Sequence, residues 1–228
     1  MRSRLLTGGK LSVIIIVVLL LIDQVIKILV KTNMMLYDTI EITSWFKFHF
    51  IENNGMAYGM AFVPKLALSL FRIVAVCLLV WYIVKQIKER ARTIYIVLLS
   101  VIVAGAAGNI IDSMFYGLVF TESSPYFVST FVPFGQGYSS FLTGKVVDMF
   151  YFPIIQTTLP DWFPFWGGQP YTFFSPVFNF ADACISVGFV LLLLFCREEL
   201  SSIPDSSKAD VSSETDAENC GATNEKNS

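Results

Sequence analysis

Apolar positions along the chain gather into four long runs, at about residues 11–30, 66–84, 93–111 and 177–196. Each is close to the roughly 20 residues that a helix needs to cross a bilayer core, so the pattern predicts four spanning helices. Polar residues interrupt these runs rarely and in groups: Asp23, Gln24 and Lys27 in the first, Asn109 and Asp112 at the end of the third, Asn179 and Asp182 at the start of the fourth. Between the runs, "SWFKFHFIEN" (44–53) alternates, and "TGKVVDMFYF" (143–152) is β-branched and aromatic. Both predict short strands at the membrane surface. The stretches 118–143 and 153–176 are rich in aromatic residues and turn formers, and are expected to be long surface loops that cover a site or select what enters it. The aromatic and proline content of the second suits lipid headgroups.

With a helix rise of 1.5 Å per residue, Asp23 lies roughly 18 Å beyond Leu11 and Asp112 roughly 29 Å beyond Thr93, while Asp182 lies roughly 9 Å inside the opposite boundary. The three carboxylates therefore converge at one level. Their faces agree too: Asp23, Lys27 and Lys31 share one helix side, Gly105, Gly108, Asn109 and Asp112 a second, and Asn179, Asp182 and Ser186 a third. Lipid disfavours such stripes, so they are expected to point into the bundle. Asp23 with Lys27 also fits an interhelical ion pair serving only as glue.

Composition supports the membrane class, with 54% hydrophobic and 15% charged residues and a mean hydropathy of +0.62. Arg2, Arg4 and Lys10 precede the first run, and Lys85, Lys88, Arg90 and Arg92 crowd the second connection. By the positive-inside rule both termini are expected on the cytoplasmic side, with the loops 32–65 and 113–176 facing outward. The first run resembles a signal peptide, but no small-x-small site follows it and polar residues interrupt it, so a retained anchor is expected. Residues 1–197 carry 14 basic and 10 acidic groups, whereas 198–228 carry 2 and 8. The division expected is a membrane domain over 1–197 and a disordered, acidic cytoplasmic tail over 198–228.

The candidate chemistry is narrow. Cys77, Cys184, Cys196 and Cys220 have no C-x-x-C spacing, and His49 is the single histidine, which argues against thiol exchange and a histidine-rich metal site. Asp182 has no cation on its own helix, and its best partner is Asp148. Two carboxylates brought together share a proton, and such a pair activates water: one member takes the water's proton while the other protonates a peptide carbonyl. No metal or cofactor is needed. A serine paired with Lys27 or Lys145, and a proton-coupled carrier using Asp23, Asp112 and Asp182, are the rival readings. Four helices without evident inverted repeats make a thin scaffold for the carrier.

Five ordered motifs carry a family resemblance: "DQVIK" (23–27), "NNGMAYGM" (53–60), "GAAGNIID" (105–112), "VVDMF" (146–150) and "FNFAD" (178–182). Over roughly residues 11–197 the chain resembles lipoprotein signal peptidase, or signal peptidase II, a bacterial membrane aspartyl protease family. The resemblance implies an all-α membrane fold of four transmembrane helices, with an outward-facing small β platform and long outer loops. It implies Asp148 and Asp182 as the catalytic aspartates, with Asn54, Gly55, Asn109, Asp112, Asn179, Ala181, Asp23 and Lys27 binding substrate or supporting the site. The implied reaction is removal of a prolipoprotein signal peptide immediately before a diacylglyceryl-modified cysteine, in the inner membrane near its outer leaflet. The implied partners are lipid-modified prolipoproteins and membrane lipids, with inhibition by globomycin and no nucleic acid. One departure is Ser113, where the family usually has an arginine.

Overall fold

The computed structural model describes residues 2–54 and 64–201. Three helices are long and apolar enough to cross a membrane: α1 (Arg2–Asn33), α2 (Lys65–Lys88) and α3 (Thr93–Ile111) with its continuation to Val119. A shorter apolar helix, α5 (Phe180–Phe195), covers the fourth run; its 16 residues rise about 24 Å. The chain is a membrane protein whose helix order follows the apolar runs.

The helices form because these runs leave few polar side chains to compete with the backbone, and they stay together through the inward side of α3. That helix packs against α1, α2 and α5. Close approach rests on two glycines: a β-carbon at Gly105 would meet the Ala181 carbonyl oxygen at 2.4 Å, and one at Gly108 would meet Asp23 Oδ2 at 2.5 Å. The predicted small-residue stripe of α3 is thus the seam where both neighbours press in. Outward, α1, α2 and α5 expose Val17, Leu21, Val74, Leu78, Val190 and Leu194, as lipid-facing surfaces do.

At Asp112–Tyr116 the third helix widens into a π-helical turn before α4 (Gly117–Val119). Periodicity alone carries no sign of this extra residue, and such bulges recur at functional positions. Its first residue is one of the polar residues singled out above.

A four-stranded antiparallel sheet caps one end of the bundle, in the order β1 (Thr39–Thr43), β2 (Phe46–Asn53), β3 (Val146–Tyr151), β6 (Val177–Phe178). Both strands expected from alternation are present. The expected all-α class therefore holds for the bundle, with the platform a full sheet. Phe150 pairs with Phe178 and Tyr151 with Val177, which brings the start of α5 beside the second half of β3.

The two long connections are more ordered than loops. Segment 117–145 folds back on itself through a Phe120–Phe131 bridge and hydrogen bonds from Tyr138 N to Phe120 O and from Ser139 N to Gly117 O. Segment 153–176 is a two-stranded hairpin, β4 (Ile155–Thr158) with β5 (Pro170–Phe173). After α5, a short helix α6 (Arg197–Ser201) is held by an Arg92–Glu199 ion pair at 3.2 Å. Gly55 and residues 202–228 lie outside the described residues.

Candidate active site

Asp148 sits in β3 and is buried; Asp182 lies in the first turn of α5 and is half-buried. Asn179 joins them. As N-cap of α5, its side-chain oxygen accepts from Asp182 N (2.9 Å), and Asp182 Oδ2 accepts from Asn179 N (3.3 Å), completing a capping box. With the amide oxygen held by a backbone N–H, the NH2 group must face the other way. It donates to Asp148 Oδ1 at 2.7 Å and to Asn109 Oδ1 at 3.1 Å. One asparagine thus positions both carboxylates.

Asn109 on α3 is oriented by the same logic. Lys27 Nζ, which can only donate, contacts its oxygen at 2.8 Å. The Asn109 NH2 is thereby turned to Asp182 Oδ1 at 2.8 Å. Lys27 is in turn held by Asp23 (3.0 Å) and Asp112 (2.8 Å), all three of them buried. Each acid reaches a further backbone: Asp23 Oδ1 accepts from Ala181 N (3.0 Å), and Asp112 Oδ2 accepts from Val147 N (3.4 Å). The backbones beside Asp182 and Asp148 are therefore pinned from α1 and from the π-helical turn.

Burial pushes the Asp148 carboxyl up to about 7, with the nearby Asp182 charge adding to the rise; hydrogen bonds from Asn179 and Asn53 oppose it. A carboxyl that keeps its proton near neutrality beside a carboxylate accepting two N–H donors is an acid–base pair able to act on water and a carbonyl.

The predicted residues Asp23, Lys27, Asn109, Asp112, Asp148, Asn179, Ala181 and Asp182 come together in this one network. Asn54 is exposed, and its neighbour Asn53, at the end of β2, makes the hydrogen bond to Asp148. Lys31 keeps to its predicted, inward stripe but joins a separate buried cluster: it pairs with Glu52 and donates to Ser123 at 2.8 Å. Ser186 is exposed. Ser113 Oγ donates to Asn109 O at 3.1 Å, within its own helix.

Two contributors escaped the sequence reading. Gln24 donates to Asp112 Oδ1 (2.9 Å) and Asp23 Oδ2 (3.1 Å) and accepts from Tyr116 OH (3.2 Å), closing the acid cluster. Arg72, in the middle of apolar α2, lines a cavity of about 190 Å³ with Phe71, Ala106, Asn109, Asp182 and Ile185. Its position as a cation within a spanning helix was the available signal.

The chain is similar to known proteins in sequence and in fold. A family model described as signal peptidase (SPase) II matches residues 15–197. A lipoprotein signal peptidase of Porphyromonas gingivalis (strain ATCC 33277) is 48% identical over 204 residues, spanning 89% of this chain and 90% of its own. That of Amoebophilus asiaticus is 36% identical over 186 residues, spanning 78% and 74%. A solved bacterial membrane enzyme at 2.3 Å resolution shares the fold, with a TM-score of 0.56 at 24% identity over 86% of this chain and 92% of that one. With the family model covering most of its length and relatives of this identity and coverage, the chain belongs to the signal peptidase II family.

Proposed function

We propose that the chain is an aspartic endopeptidase that removes the signal peptide of a prolipoprotein immediately before its diacylglyceryl-modified cysteine, using Asp148 and Asp182. Family membership supports a protease acting on lipoprotein signal peptides. The observation that carries the aspartate mechanism is Asn179, which donates to Asp148 and caps the helix turn that bears Asp182. Asp182 takes a proton from water as the oxygen attacks the scissile carbonyl carbon. Asp148 gives its proton to the carbonyl oxygen. The tetrahedral species then collapses, the C–N bond breaks, and the departing cysteine nitrogen takes up a proton from the pair. Asn53, Asn109 and Asn179 hold the two carboxyl groups, and Asp23, Lys27, Asp112 and Ala181 set them from behind.

The four apolar helices cross the inner membrane with both termini cytoplasmic, on the basis of the basic residues before α1 and between α2 and α3. That orientation sets the sheet and the two carboxyls toward the outer leaflet, where the acyl chains of a lipidated cysteine reside. Residues 1–197 form the peptidase domain, and 198–228 a solvated acidic tail. Globomycin is expected to inhibit.

In the alternative Ser–Lys reading the two named lysines are engaged by acids, Lys27 by Asp23 and Asp112 and Lys145 by Glu122; the lysine that contacts a serine is Lys31, which donates to Ser123 and pairs with Glu52. The test is release of the signal peptide from a diacylglyceryl-modified prolipoprotein by purified protein in lipid. Wild type and Ser123→Ala should release it, whereas Asp148→Asn and Asp182→Asn, folded as judged by thermal unfolding, should not. Equal release by the aspartate variants would sink the mechanism.

A further inference from the structure

The β4–β5 hairpin stands apart from the site, and three of its features need a common cause. Every residue of β4 is exposed, and the hairpin forms its own two-stranded sheet, a unit that is marginal in water when nothing packs on it. Its tip is nevertheless built with care: Phe163 N donates to Pro160 O, Gly167 N to Phe163 O, Gly168 N to Leu159 O, and Gln169 N to Trp166 O. That ordered tip shows its aromatic side chains outward, with Trp162 78%, Phe165 93% and Trp166 56% exposed.

Phe165 states the problem most sharply. Its φ is 67°, a left-handed conformation that a bulky side chain adopts only when its surroundings enforce it. The backbone therefore accepts strain in order to hold out a phenyl ring that nothing among the described residues covers.

We propose that this hairpin tip inserts into the bilayer interface beside α5 and anchors the connection between β3 and α5. The inference rests on the reading that α5 crosses the bilayer. Four grounds favour lipid as the occupant. Asp161 is the single charged residue between 153 and 176. Trp settles at the headgroup level, and Phe with Trp forms the apolar face of segments that lie in the interface. The hairpin returns to β6 at Val177, three residues before α5 begins. And the exposed apolar surface of α5, at Val187, Val190 and Leu194, continues the same kind of surface. The anchor bears on the reaction because it lies in the stretch linking Asp148 to Asp182: a tip held in the membrane keeps β3 and the start of α5 at a constant depth.

Full-length protein is reconstituted into bilayers whose lipids carry bromine either near the headgroup or near the chain ends. A Trp45→Phe/Trp81→Phe variant leaves the two hairpin indoles as reporters. A Trp45→Phe/Trp162→Phe/Trp166→Phe variant leaves Trp81, 63% exposed on α2, as the lipid-facing control. The expected result is loss of most of the hairpin emission, greater with bromine near the headgroup. Quenching of Trp81 with none at the hairpin overturns the proposal and leaves the membrane reading intact. In that case red-shifted hairpin emission assigns the tip to water and blue-shifted emission to a protein contact. Absence of quenching in both variants overturns both readings.

Discussion

One helical turn separates two buried lysines on α1, and the chain uses them differently. Lys27 binds two carboxylates and the Asn109 oxygen, at the end of a network that reaches Asp148 and Asp182. Lys31 binds Glu52 on β2 and Ser123 in the 117–145 segment, with Tyr138 and Phe120 rings 5.1 Å and 5.4 Å away. The first cluster joins helices to the proposed catalytic pair. The second ties a surface segment to the sheet. Residue type, face and burial are shared, so the difference comes entirely from what the opposite elements bring, and identical motif logic on a helix does not assign identical work.

The comparison breaks most sharply at Lys27. Lys27→Met leaves Asp23 and Asp112 buried without their cation, and uncompensated buried charge of this kind costs about 3–5 kcal/mol. It also frees Asn109 to rotate, and misplacing a positioned group by about an ångström costs roughly 100-fold in rate. Thermal unfolding in detergent and signal-peptide release should both collapse. A variant with near-normal turnover would reduce the Lys27 cluster to interhelical glue.

A pH series sharpens the contrast, because Asp148 belongs to the first cluster. Its carboxyl is raised to about 7 from an ordinary 3.8. The folded state therefore keeps a proton that the unfolded chain has already lost, so stability is greatest at low pH and declines as pH rises from about 4 through about 7. In the free enzyme, kcat/KM should fall on the alkaline side as the pair loses its proton, with a limb set by Asp148. Asp148→Asn should flatten the stability slope, and an unchanged slope would remove Asp148 as its source. Lys31→Met should leave that slope in place.

The smallest effect is expected at Lys31. Lys145 Nζ remains 3.7 Å from Glu52 Oε2, so Lys31→Met costs about 1–3 kcal/mol and leaves the Asn179 contacts intact. KM should rise several-fold with kcat little changed. Replacing both partners, Lys31→Met with Glu52→Met, should recover part of the stability, since removing a whole buried pair is often close to neutral. A kcat loss matching that of Lys27→Met would erase the distinction between the clusters.

Much of the candidate site is legible in the sequence. Helix rise alone set Asp23, Asp112 and Asp182 at one level, and they meet around Lys27, Asn109 and Ala181 N. The spacing of Asn179 and Asp182 is that of a capping box, and one is present. Asn53 and Asn54 were not separable by pattern, because the strand's end, where the chain turns from the sheet, decides which amide reaches Asp148. Gln24 read as an interruption of an apolar run and proves to bridge two acids. Arg72 was hidden by its apolar neighbours.

By itself the sequence determined what depends on local periodicity: which stretches become helices or strands, where in a helix a carboxylate lies, and which glycines can sit in a seam. Tertiary structure decided which groups face one another. Pairing of Phe150 with Phe178 brings Asp148 beside the α5 cap across the whole intervening hairpin. The orientation of Asn109 follows from a donor on another element, Lys27 on α1, while Asn179, turned by the Asp182 N–H of its own helix, finds its acceptors on β3 and α3. Hydrogen-bond direction and burial are properties of several segments at once, and no single segment encodes them.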